Sequence, residues 1–127
     1  MRFCRRYILL LFCLCTLCGM ANDKPFVEPI PDFIDYLMAD EEYQLVVRLT
    51  SEELTRHPKN GRLYSQRAVA YIQLEEIDLA IADVTKAIRY HETADKPLSE
   101  LYRIRAILYE YTNQARRAQR DYRRAAQ

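Results

Sequence analysis

The sequence predicts an all-α protein, a solenoid of about three stacked helix-turn-helix units. The main observation is an internal repeat. The stretch Leu63 to Ala87 returns as Leu101 to Ala125, 38 positions later, with Leu63/Leu101, Tyr64/Tyr102, Arg67/Arg105, Ala68/Ala106, Tyr71/Tyr109, Ala80/Ala118, Asp83/Asp121 and Ala87/Ala125 all matching. Recurrence at one fixed offset is the mark of a stacked repeat array, whose units cannot bury their apolar faces alone. The second observation is the placement of helix breakers. Both glycines (Gly19, Gly61) and all five prolines (Pro25, Pro29, Pro31, Pro58, Pro97) lie outside the two matching stretches, so they mark segment ends and leave the interiors uninterrupted.

Taken in order, Met1 to Arg6 is basic, Tyr7 to Cys18 is apolar, and Gly19-Met20-Ala21 offers a small-residue cleavage site, so residues 1–21 are expected to be a secretory signal peptide. All four cysteines, Cys4, Cys13, Cys15 and Cys18, fall in this segment, in no metal-ligand spacing. Two alternatives stand beside cleavage. One is an uncleaved anchor, although the apolar run is shorter than the roughly twenty residues of a spanning helix. The other is lipidation at Cys18, although Leu17 is a poor residue to precede it. Cleavage after Ala21 leaves 16 basic and 18 acidic side chains, a net charge of about −2, and no cysteine for a disulfide. The expected location is periplasmic or secreted, with no membrane contact after cleavage.

Residues 22–30 hold Pro25 and Pro29, with Pro31 directly following, and are expected to be an extended lead-in. Residues 31–127 form the helical domain. Pro31 suits a first helical turn, with Asp32 and Asp35 near its positive end and Phe33, Ile34 and Leu37 as an apolar stripe. This helix is expected to end between Ala39 and Glu42. A second runs from Tyr43 to His57, stopped by Pro58, and Pro58-Lys59-Asn60-Gly61 is a turn by composition. Arg62 to Leu74 and Asp78 to Tyr90 form the next pair, His91 to Pro97 a loop, and Leu98 to Thr112 with Ala115 to Ala126 the last pair. Ala68 with Ala80, and Ala106 with Ala118, are small residues that let paired helices approach closely.

These residues resemble the tetratricopeptide repeat family. Tyr64, Ala68, Tyr71, Ala80, Val84 and Ala87 suit the family pattern, and Tyr102, Ala106, Tyr109, Ala118, Tyr122 and Ala125 suit it again. The units fall at about 27–60, 61–98 and 99–127, the first with large or polar residues at the small positions. The resemblance implies a right-handed α-solenoid. The family unit is about thirty-four residues, so the longer offset puts four extra residues in the loop from His91 to Leu98. The inter-helix turn of the family often carries glycine, where this chain has Glu41, Glu75 and Asn113. Only asparagine enters the left-handed region easily, so the turns at Glu41 and Glu75 are expected to be less tight.

The resemblance also implies a concave groove for a peptide segment. Its positions are Arg62, Ser65, Val69, Ile72 and Gln73, then Glu100, Arg103, Ile107, Glu110 and Tyr111, with Asp32 and Asp35 nearby. Ser65, Gln66 and Val69 stand where some members clamp a partner's C-terminal carboxylate with lysine and asparagine, so that clamp is absent. Val69, Ile72, Ile107 and Tyr111 form an apolar strip rimmed by charge, suited to a protein segment anchored by a few apolar side chains.

No catalytic motif, glycine-rich phosphate loop, metal site or cofactor site is expected. His57 and His91 each lie at a helix C-terminus, where histidine complements the helix dipole. Glu75-Glu76 and Asp40-Glu41-Glu42 read as solvated acidic turns, and the core tyrosines as structural. The function expected is a non-enzymatic protein–protein interaction module, an adaptor or scaffold whose partner is another protein or peptide segment. The alternative is a homo-oligomer or assembly component joined through oppositely charged ends. Residues 22–60 carry four basic and nine acidic side chains, 61–98 five and six, and 99–127 seven and three. Nucleic-acid binding through Arg116, Arg117, Arg120, Arg123 and Arg124 is not expected, given the export signal and the nearly balanced charge. Gln119, Tyr122 and Ala126 replace Ile81, Val84 and Ile88, and Arg120, Arg123 and Arg124 replace Ala82, Thr85 and Lys86, so the last helix is expected to face water and end the array.

Overall fold

A computed structural model describes residues 30–127. The expected signal peptide and its cysteines lie outside the described residues, as does the lead-in up to Pro29. Ile30 is already helical and so belongs to the first helix. The described residues are all-helical: α1 (Ile30–Ala39), α2 (Tyr43–Arg56), α3 (Gly61–Gln73), α4 (Ile77–Arg89), a 3-10 turn (His91–Thr93), α5 (Leu98–Tyr111) and α6 (Ala115–Ala125). Each helix packs on the next in sequence, and α1 also touches α3. The short connections make sequential helices antiparallel neighbours.

The three turns within the pairs α1–α2, α3–α4 and α5–α6 correct the expectation drawn from their residues. Glu41, Glu75 and Asn113 all have left-handed backbones, with φ of 61°, 61° and 59°. All three turns are therefore equally tight. Each closes with the same two hydrogen bonds, for example Glu75 N–H to the Ile72 carbonyl at 3.1 Å and Glu76 N–H to the Tyr71 carbonyl at 2.9 Å. Asn113 and Gln114 repeat these bonds to Glu110 and Tyr109, and Glu41 and Glu42 to Met38 and Leu37. This is a Schellman cap, in which the last carbonyls of one helix are satisfied by the turn itself. Packing of the paired helices sets this conformation, and two glutamates accept the left-handed strain at a cost of about 1–2 kcal/mol each.

The core divides into two clusters. One joins Ile34, Leu37 and Val46 of the first pair to Ala70 of α3. The other joins Ala68, Ala80 and Val84 to Leu108, with Ile72, Ile77, Ile81, Ile88 and Ile104 packed around them. Thus α5 covers the apolar face of the second pair, as its sequence required. Ala106 and Ala118 are also buried, at the equivalent close approach of the last pair.

A polar link, repeated in two of the pairs, runs beside these clusters. Arg67 donates from Nε and Nη2 to Asp83 at 2.7 and 2.8 Å, and Arg105 does the same to Asp121 at 2.6 and 2.9 Å. The third nitrogen of each reaches the preceding pair: Arg67 Nη1 donates to Ser51 Oγ at 2.9 Å and Arg105 Nη1 to Thr85 Oγ1 at 3.0 Å. Those hydroxyls pass the chain on to the carbonyls of Val47 and Ile81. Each guanidinium also lies over two tyrosine rings, Arg67 over Tyr64 and Tyr71, Arg105 over Tyr102 and Tyr109. Hydrogen bonding to Asp83 is the main reason the Arg67 pKa is raised, against a smaller opposing effect of burial. For Arg105 burial is the largest single influence and lowers the pKa, but the bonds to and charge of Asp121, with the tyrosines, outweigh it and the net shift is upward. Both side chains are therefore cations held in place on three sides.

The loop between α4 and α5 is anchored back on α3. Gly61 N–H donates to Thr93 Oγ1 at 2.8 Å, and Thr93 in turn reaches the carbonyls of Lys59 and Tyr90. Asn60 caps α3, its Oδ1 accepting from the N–H groups of Arg62 and Leu63. A β-carbon at residue 61 would collide with the Tyr90 carbonyl oxygen, so glycine is what permits this close approach.

Candidate partner-binding groove

Residues from α1, α3 and the loop between α4 and α5 enclose a recess of about 180 Å³, lined by Asp35, Met38, Ser65, Gln66, Val69, Asp95 and Lys96. Helical spacing puts Ser65 and Val69 one turn apart on the same face of α3. Asp35 accepts from Arg62 Nη2 and from Gln66 Nε2, both at 2.8 Å, which fixes α1 against α3 at one wall. Lys96 at the other wall pairs with Glu100 at 3.3 Å.

Two polar atoms here stand out. Ser65 is only 3% exposed, and its hydroxyl has no hydrogen-bond partner; Arg62 Nε is likewise buried and unpartnered. Unsatisfied buried polar groups are uncommon because each forfeits its hydration, so they call for a physical reason. Of the two, Ser65 lines the recess, so a polypeptide backbone laid there would offer its hydroxyl both donors and acceptors.

The expected groove residues separate into two sets. Arg62, Ser65 and Val69 lie at or beside the recess, while Gln73 is exposed at the end of α3. Ile72 belongs largely to the core, packed against the cluster that contains Leu108. On α5, Arg103, Ile107, Glu110 and Tyr111 are exposed, the two apolar ones strongly so at 52% and 71%. Ile107 and Tyr111 are four residues apart and so share one face of the helix. Glu110 accepts a hydrogen bond from the Tyr122 hydroxyl at 2.8 Å, and that bond is the main cause of the raised Tyr122 pKa. The side chain of Asp32 lies outside what is described.

Sequence reasoning did not assign Asp95 or Lys96 to the groove. The signal was present in the longer repeat offset, because the additional loop residues fold back beside α3 and contribute these two side chains. His57 pairs with Glu53 at 3.3 Å, and His91 Nδ1 lies 3.1 Å from the Ile88 carbonyl, so each is engaged at its own helix end. Among the described residues no helix is long and apolar enough to cross a membrane. Compared with protein-family models, curated proteins and solved structures, the chain has no match in any of the three.

Proposed function

We propose that the chain is a non-enzymatic adaptor of the cell envelope or secreted space, a right-handed α-solenoid of tetratricopeptide type that holds a segment of another protein in its groove. Three identical turn caps and the recurring Arg–Asp link support the repeat reading. The observation that carries the binding reading is the recess beside Ser65, whose buried hydroxyl lacks a partner. Ile107 and Tyr111 add exposed apolar surface where an anchor side chain can seat. An elongated partner fits better than a small molecule, because the recess is narrow and the apolar residues lie on another helix. Three helical pairs offer limited area, so the affinity expected is modest.

The test follows from burial. Ile72 is a poor probe because a charge there disrupts the core, whereas Ile107→Glu and Tyr111→Ala alter exposed positions. Crosslinking with mass spectrometry in the native compartment should lose the wild-type partner in both variants while circular dichroism is unchanged. An unaltered set of crosslinked partners in the folded variants sinks the groove assignment.

A further inference from the structure

The two outer faces of the helical array complement each other. The three matching turns set the register between pairs: Glu41, Glu75 and Asn113 are equivalent. In that register Phe33 occupies the place of Arg67 and Arg105, and Tyr36 the place of Ala70 and Leu108. Ala70 and Leu108 are buried against the preceding pair, and the two arginines bond to it. The same face of α1 has no preceding pair among the described residues. Its Phe33 and Tyr36 are 49% and 63% exposed, with their rings stacked at 6.5 Å.

At the other end, Arg123 of α6 occupies the place of Ser51 and Thr85, the hydroxyls that receive the arginine of the next pair, and Gln119 the place of Val47 and Ile81. Both are exposed. Arg123 forms no ion pair among the described residues, and neither do Arg116, Arg117, Arg120 or Arg124. Every internal junction places a cation from the following pair on the preceding one. At the outer faces the partners are exchanged: the following side offers aromatic rings and the preceding side a guanidinium, a cation–π pairing of reversed sense.

We propose that a second copy of this chain docks head to tail, with Phe33 and Tyr36 of one copy seated on Gln119 and Arg123 of another. This goes beyond the groove reading and rests on the repeat register together with the charge at the two ends. Charge favours it, since residues 22–60 carry nine acidic and four basic side chains and residues 99–127 seven basic and three acidic. An α6-to-α1 junction built like α4-to-α5 is antiparallel and brings the start of α6, with Arg116 and Arg117, toward the end of α1 and Asp40 to Glu42. Such a heterologous contact does not close on itself, so it propagates beyond a dimer unless the rotation makes a ring.

Sedimentation of the protein as the cell processes it tests this with two variants, Phe33→Ala/Tyr36→Ala and Arg123→Glu, all at exposed positions and checked for fold by circular dichroism. The wild type should gain mass with concentration, past twice the chain mass, and lose that gain as salt is raised. Each variant alone should stay monomeric. An equimolar mixture of the two should double in mass and stop there, because only one intact face of each kind remains. A wild type that keeps the mass of one chain throughout, a variant that still assembles, or a mixture that stays monomeric overturns the proposal.

Discussion

In the α3–α4 pair Tyr64 lies between Arg67 and Tyr90, the two tyrosine rings stacked at 6.0 Å. In the α5–α6 pair the equivalent Tyr102 lies between Arg105 and Arg124, and Tyr109 between Arg105 and Arg117. The residues that match across the repeat make the same ion pair and the same rings in both places. Those that differ, Leu79 against Arg117 and Lys86 against Arg124, decide what the finished surface offers. One pair is completed by an aromatic ring and its neighbour α5, the other by additional guanidinium groups. Matching residues hold the helices together, and the unmatched ones distinguish what each pair can touch.

The sharpest way to break this equivalence is at the ion pairs. Removing one partner of a buried, doubly hydrogen-bonded pair strands the other charge, which costs roughly 3–5 kcal/mol. Asp121→Ala is expected at the upper end of that range and Asp83→Ala at the lower, because the Arg105 and Asp121 side chains are 10% and 4% exposed against 18% and 7% for Arg67 and Asp83. Urea unfolding of the two variants measures the order, and equal losses contradict it. Next in size, Gly61→Ala drives a β-carbon against the Tyr90 carbonyl and should cost about 1–3 kcal/mol as an overpacking change. Its equivalent in the last pair, Ser99, is exposed, so Ser99→Ala should move the urea midpoint little.

A stabilising change discriminates the turns. Glu75→Gly removes left-handed strain and should gain up to about 1 kcal/mol after the greater freedom of glycine in the unfolded chain is counted. Asn113→Gly should gain less, since asparagine accepts that backbone more readily. Thermal unfolding of both variants checks the difference. The smallest effect is at alkaline pH and belongs to the last pair alone, where Tyr122 donates to Glu110 while Ile72 and Val84 occupy those places in the pair before it. A raised folded-state pKa means that this contribution is complete below the ordinary tyrosine value of 10.0 and is lost as the pH climbs through the higher folded value. Tyr122→Phe should flatten that part of the stability curve, and ultraviolet titration should find one fewer late-ionising phenol.

Helix positions and the close alanine contacts were legible because both follow from local spacing: every helix from α2 to α6 begins or ends within one residue of the pattern in the sequence. The turns at Glu41 and Glu75 were misjudged because intrinsic preference spoke against them and tertiary packing overrode it. The Arg67–Asp83 and Arg105–Asp121 pairs were visible as matching letters sixteen positions apart, but which side chains meet across a helical pair is a property of the packed interface. Asp95 and Lys96 were illegible for a related reason, since a loop's composition does not say which surface it folds back upon. Ile72, expected in the groove by position, is partly buried and also packs against the cluster that joins Ala80 and Val84 to Leu108, a contact that repeat position alone does not reveal.

The third nitrogen of each arginine has a consequence for how the molecule comes apart. Because Arg67 reaches Ser51 and Arg105 reaches Thr85, neighbouring pairs are joined by a polar tie in addition to apolar contact, and opening one pair strips a partner from a buried cation in the next. A chain of such nearest-neighbour ties unfolds more nearly all at once than a stack held by apolar contact alone. The α1–α2 pair is the exception: Phe33 and Leu49 stand where the other pairs hold arginine and aspartate, so it receives the tie through Ser51 without having an internal clamp. Amide hydrogens of α1 should therefore exchange first, with α3 to α6 following together, and fraying should run from the acidic end toward the basic one.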